Sequence, residues 1–217
     1  MTDIDRNSLD YWFPVLENAG LPVPKTSLIQ MSEHAQFQAS LLIGGDPLDG
    51  EPEELIKFFD VVTKAGSDMG YPAFLRTGHT SGKHNWKKCC YLSQASDVPR
   101  NVCGIVEYSE MASIFGLPYH LWAVRELLPT KTYGYCPAFG NMPLAREFRV
   151  FINEHEVQCI HPYWPETALR QGRAVQTNPS AMNSLKDIDK IRDIASQVAK
   201  LFDGYWSVDI LDTENGL

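Results

Sequence analysis

No stretch of this 217-residue sequence is apolar for long enough to span a bilayer. The start, MTDIDRNSLDYW, lacks the basic-then-apolar order of a secretory leader. Cysteines are few and odd in number: Cys89, Cys90, Cys103, Cys136 and Cys159, with no CxxC pair. That argues against a zinc site and a disulfide framework, and for small buried thiols in a reducing, cytoplasmic setting. Positive charge is also in deficit. A net charge of −8 and a pI near 5.2 disfavour a broad nucleic-acid surface. Internal repeats, low-complexity segments and the GxxxxGK[ST] phosphate loop are all missing.

One absence is local. From Met69 to Ser96 there is no Asp or Glu, while Arg76, Lys83, Lys87, Lys88, His79 and His84 all fall inside. Tyr71–Leu75 reads as a strand, Thr77–Lys83 as a small polar loop with two glycines, and Trp86–Leu92 as a return strand. A glycine-rich hairpin tip flanked by cations suits a polyphosphate, because backbone amides can approach the anion and the cations add charge-assisted hydrogen bonds. An ordinary solvated hairpin is the competing reading.

Elsewhere periodicity sets the elements. Residues 7–19 predict a helix interrupted by Pro14, followed by a proline-broken segment and a short apolar run over Ser27–Met31. Residues 33–50 carry few signals beyond turns. Glu53–Met69 predicts a strong helix whose face is Leu55, Phe58, Phe59, Val62, Ala65 and Met69. Asp97–Phe115 predicts a helix, and Tyr119–Leu128 a central strand in which Arg125 and Glu126 are anomalous. Ala145–Asn153 alternates, with Phe148, Val150 and Ile152 on one face and Glu147, Arg149 and Phe151 on the other; Val157–Tyr163 returns antiparallel. Residues 164–184 form a long polar loop, either a functional lid or a disordered connection. Leu185–Phe202 is a second strong helix. Tyr205–Leu211 is a final strand with Asp209 at its centre, where an unpaired buried carboxylate would be costly.

These elements, in this order, resemble the ATP-grasp fold over residues 53–217, an α+β class with two lobes built on antiparallel sheets that enclose a nucleotide. The resemblance implies a small lobe over 53–122 and a large lobe over 123–217, preceded by an N-terminal segment, 1–52. Gly70–Arg76 is similar to the family strand that presents a phosphate-binding cation, here Arg76. Thr77–Lys83 resembles the loop over the phosphates, which implies roles for Gly78, Ser81, Gly82 and Lys83. Val124, Arg125, Glu126 and Leu127 resemble the hinge that meets adenine and ribose. Arg146–Phe151 resembles the segment whose arginine, here Arg149, contacts the transferred phosphoryl group. Val208–Ile210 resembles the strand with a magnesium-binding acid, Asp209, with Glu147 as a second ligand.

The resemblance implies ATP and Mg²⁺ as cofactors and a carboxylate–amine ligase that works through an acyl phosphate, on small-molecule or peptide substrates. A nucleotide-binding protein without turnover is the alternative; one such ATP-grasp relative is a eukaryotic translation-factor assembly chaperone with a similar Arg-Glu-Phe-Arg segment. The family's last acid-bearing strand would begin where this sequence stops, so the sequence implies an open edge on the strand at 205–211 and self-association through it.

Overall fold

The computed structural model describes residues 5–48, 50–112, 114–164 and 179–217. Residues 165–178 of the long polar loop lie outside them. The chain divides into two compact units: residues 1–14 with 24–127, and residues 15–23 with 128–217. The division falls after Leu127 and not at 122, because the strand at 121–126 lies in the middle of the first unit's sheet. The first 52 residues are shared between the units and do not stand apart.

In the first unit, helix α1 (Leu9–Asn18) starts the fold with its part up to the internal Pro14, after which the chain counts with the second unit. A four-stranded antiparallel sheet follows in the order β1 (Thr26–Gln30), β4 (Leu121–Glu126), β2 (Ala73–Thr77), β3 (Tyr91–Leu92). Three helices, α2 (Glu33–Gly44), α3 (Glu53–Met69) and α4 (Val98–Met111), pack on one face. Their core joins Leu55, Phe58 and Val62 of α3 and Val102, Ile105 and Val106 of α4 to Leu75, Trp122 and Val124 of the sheet. The Phe58 ring meets Trp122 edge-on at 5.5 Å between centroids.

α3 has the predicted bounds; of its predicted face Leu55, Phe58, Val62 and Ala65 are buried, while Phe59 and Met69 are half-buried. α2 was not predicted. The Ser32 side chain caps it by accepting the Ala35 N–H at 3.2 Å, and Gly45 closes it in the left-handed region. The predicted return strand over 86–92 is also corrected. Lys83–Lys88 winds as a 3-10 segment that buries Trp86 and leaves Lys87 and Lys88 in solvent, so only Tyr91 and Leu92 pair with β2.

The second unit holds a two-stranded ribbon, β5 (Gly134–Cys136) with β6 (Met142–Leu144), and a three-stranded antiparallel sheet in the order β8 (Glu156–Pro162), β7 (Glu147–Asn153), β9 (Tyr205–Leu211). The predicted alternation of β7 holds: Phe148, Val150 and Ile152 are buried. Helix α5 (Ile188–Ala199) packs on this sheet, with Ile191, Ala195 and Val198 buried. β9 is an edge strand, and its outer side is unpaired among the described residues. The five cysteines are free, but Cys159 is exposed, which corrects the expectation that all are buried. No helix among the described residues is long and apolar enough to cross a membrane.

Candidate functional site

The sheet register of the first unit puts two arginines together. Leu75 and Val124 are paired and face the helical core, so their strand neighbours face the other way. Phe74 pairs with Arg125 and Arg76 pairs with Ala123, which makes Arg76 and Arg125 diagonal neighbours on the outer face. Aromatic rings of α1 lie against them. The guanidinium carbons of Arg76 and Arg125 are 6.0 and 5.8 Å from the Trp12 ring centroid, and that of Arg125 is 5.3 Å from Phe13.

Neither arginine has an acidic partner among the described residues. Arg76 Nε donates to the Thr77 carbonyl at 2.9 Å. Arg125 Nε and Nη2 are buried with no acceptor among the described residues. Burial pushes the Arg76 guanidinium down to about 10. Burial, joined by repulsion from Arg76, pushes Arg125 down to about 9. Both therefore keep their charge at neutral pH. Two adjacent half-buried cations without an acidic partner among the described residues make this face locally positive. Arg125 was legible in the sequence only as an anomaly in a central strand.

The loop after β2 is wound on one side chain. Thr77 Oγ1 accepts the His79 and Thr80 amides at 3.2 and 2.9 Å. The Gly82 amide reaches Thr80 Oγ1 at 3.3 Å. Gly78 is clamped on both sides, donating to Leu121 O at 2.8 Å and accepting from the Leu9 amide at 3.2 Å. A Cβ on Gly78 would stand 3.0 Å from Ser8 Oγ and 3.1 Å from Leu121 Cδ2, so glycine here serves a close approach. The amides of Gly78 and Gly82 are thus engaged within the protein, whereas the sequence reading offered them to phosphate. Ser81 has no hydrogen-bond partner among the described residues. Lys83 begins the 3-10 segment beside it.

The hinge residues are also placed differently from the expectation. β4 runs between β1 and β2 through Glu126, so the backbone of Val124, Arg125 and Glu126 serves the sheet. The Glu126 carboxylate accepts the Lys25 amide at 2.7 Å. Leu127 is the first of the four outside the sheet.

In the second unit Arg149 stands directly across from Asp209. Its Nε and Nη2 bind both carboxylate oxygens at 2.7 Å each, and its guanidinium carbon lies 4.5 Å from the Tyr163 ring centroid. The hydrogen bond to Asp209 raises the Arg149 pKa above its ordinary value. Asp209 is therefore neither buried nor unpaired, as the sequence had suggested: its side chain is 36% exposed and ion-paired. Glu147 shares that sheet face, opposite Leu211. Both Asp209 oxygens carry Arg149 donors, and no group of three or more His, Cys, Asp or Glu among the described residues could hold a metal.

Arg146, in the same segment, is structural. It is 5% exposed, and its guanidinium donates to the Ser184 carbonyl at 3.1 and 2.9 Å, to the Lys186 carbonyl and to Asp212 at 2.9 Å.

No protein-family model matches the chain, and no curated protein sequence matches it. Among solved structures, the C-terminally truncated Cdc123 from Schizosaccharomyces pombe is similar over 97% of this chain and 80% of its own, at 12% identity and a TM-score of 0.57. Cdc123 from the same organism gives the same coverage and TM-score at 14% identity. A RimK domain ATP-grasp protein from Sphaerobacter thermophilus DSM 20745 matches over 97% of this chain and 57% of its own, at 14% identity and a TM-score of 0.48. The likeness to Cdc123 is one of fold alone, a mixed α+β architecture with antiparallel sheets.

Proposed function

We propose that this chain, with its ATP-grasp-like fold, binds ATP, and that Arg76 and Arg125 of the first unit neutralise the phosphates. The observation that carries the reading is the arginine pair, with two buried Arg125 nitrogens that have no acceptor among the described residues. A phosphate oxygen satisfies such donors through charge-assisted hydrogen bonds, and a guanidinium fork matches it in shape. Trp12 and Phe74 add aromatic surface to the same region. Ser81 and Lys83 are the loop residues that complete the set.

A second reading adds turnover: ligation of a carboxylate to an amine, on small-molecule or peptide substrates. The substrate carboxylate oxygen would attack the γ-phosphorus and ADP would leave. The amine nitrogen would then attack the acyl carbon and phosphate would leave. Arg149 supports this reading, because it lies half-exposed on the sheet face it shares with Glu147. Its pairing with Asp209 opposes it, since a charge already balanced gives less to a phosphoryl group. Binding without turnover is therefore the function we favour. An ADP-release assay with magnesium, ATP and panels of carboxylates and amines separates the two. ATP binding without ADP formation is the expected result; substrate-dependent ADP formation would establish the ligase.

A further inference from the structure

The arginine pair lies under a cover. Arg125 Nε and Nη2 are buried, so a phosphate oxygen reaches them only when the group above them moves. That group is the start of α1. Ala123 is paired with Arg76, and Leu121 follows it on the same outer face by strand alternation. Both are buried, as are Leu9 and Phe13 of α1, yet none of the four belongs to the helical core on the other side of the sheet. α1 therefore packs on the outer face, where its Trp12 and Phe13 rings lie over the guanidinium groups.

The same helix holds the loop that follows β2. The Leu9 amide donates to the Gly78 carbonyl at 3.2 Å, and just ahead of the helix Asp5 pairs with His79 Nε2 at 2.7 Å. α1 thus engages both elements that phosphates would need, the loop and the cations. An aromatic face attracts a cation through its ring quadrupole, but it is a poor acceptor for guanidinium N–H groups. The rings accordingly leave two Arg125 nitrogens without an acceptor among the described residues. The helix also has a weak point beside them. Pro14 has no amide to donate to the Asp10 carbonyl, and its ring crowds that carbonyl. The turn that carries Trp12 and Phe13 is held to the rest of α1 by fewer hydrogen bonds as a result.

We infer that the first turns of α1 are a built-in cover that competes with nucleotide for the arginine pair, and that ATP binds the state in which this cover has lifted. The competition rests on the ATP reading above; the covering of Arg125 does not. The observed affinity is then the intrinsic affinity reduced by the fraction of molecules uncovered.

Three measurements on the full chain test this. The first uses phenylglyoxal, an arginine reagent, without nucleotide, with modified peptides mapped by mass spectrometry. Arg125 should react about tenfold faster in Trp12→Ala, folded by circular dichroism, than in the parent. In the second, calorimetry, Trp12→Ala should bind ATP about fivefold tighter than the parent. The third needs no variant: saturating ATP should speed hydrogen exchange in the parent's 9–18 peptide. Equal labelling of Arg125, ATP affinity in Trp12→Ala that is unchanged or weaker, or slower exchange in 9–18 with ATP would each overturn the inference. If neither folded chain binds ATP, the nucleotide reading fails and the labelling alone decides whether α1 is the cover.

Discussion

Arg146 and Arg149 belong to one short segment and serve different ends. Arg149 is half-exposed and paired with one acid across a sheet, an arrangement worth about 1 kcal/mol in stability. Arg146 is buried and holds the Ser184 and Lys186 carbonyls and Asp212 together. Removing it leaves those groups without donors. Arg146→Met should therefore lower unfolding free energy by about 3 kcal/mol in a urea titration, while Arg149→Ala lowers it much less. Arg125 is a third case: a half-buried cation that lies against the Trp12 and Phe13 rings and has no acidic partner among the described residues.

At the scale of elements, the basic 3-10 segment is pinned from below by α4. A Cβ on Gly104 would lie 2.4 Å from the Lys88 carbonyl oxygen, closer than any real contact. Gly104→Ala should push the two apart and cost about 1–3 kcal/mol, read as a fall in Tm, although alanine is the better helix former. The entry to α4 gives a pH signature. The Asp97 carboxylate accepts from the Ser93 amide and hydroxyl, the Gln94 amide and Arg100. Burial alone would raise its pKa, but these donors outweigh burial and hold it below the usual range. A depressed folded-state pKa gives stability that is complete above the unfolded value, about 3.9, and is lost as pH falls through the folded one. Acid unfolding below about pH 4 should therefore be shallower in Asp97→Asn than in the parent chain.

The sequence made α3, β7 and β9 legible because each carries one unbroken period: an apolar stripe in α3, strict alternation in β7, and a turn-bounded run in β9. α2 was hidden because its apolar residues point several ways. Ala35 and Ala39 are buried while Phe37 and Leu42 are exposed, so no stripe forms. Of the site, Arg76 was legible as a cation on a strand beside a glycine loop. The partnership of Arg76 with Arg125, and of Arg149 with Asp209, was not, because each depends on the register between strands far apart in the chain. The local reading of the loop failed for a related reason: Gly78 bonds to Leu9 and Leu121, which composition cannot reveal.

For the whole molecule, two compact units each carry a polar group on a sheet face: among the described residues the arginine pair of the first has no acidic partner, and Arg149 of the second is paired with Asp209. The fold is shared with Cdc123 at low identity, so the argument for nucleotide rests on the arginines themselves. The most direct test is a calorimetric titration of ATP into the folded chain and into Arg125→Ala. The parent should bind ATP tighter than millimolar, and the variant should lose roughly 1.5–3 kcal/mol of binding with no loss of thermal stability. No binding by the folded parent at millimolar ATP, or equal binding by the variant, would contradict the account.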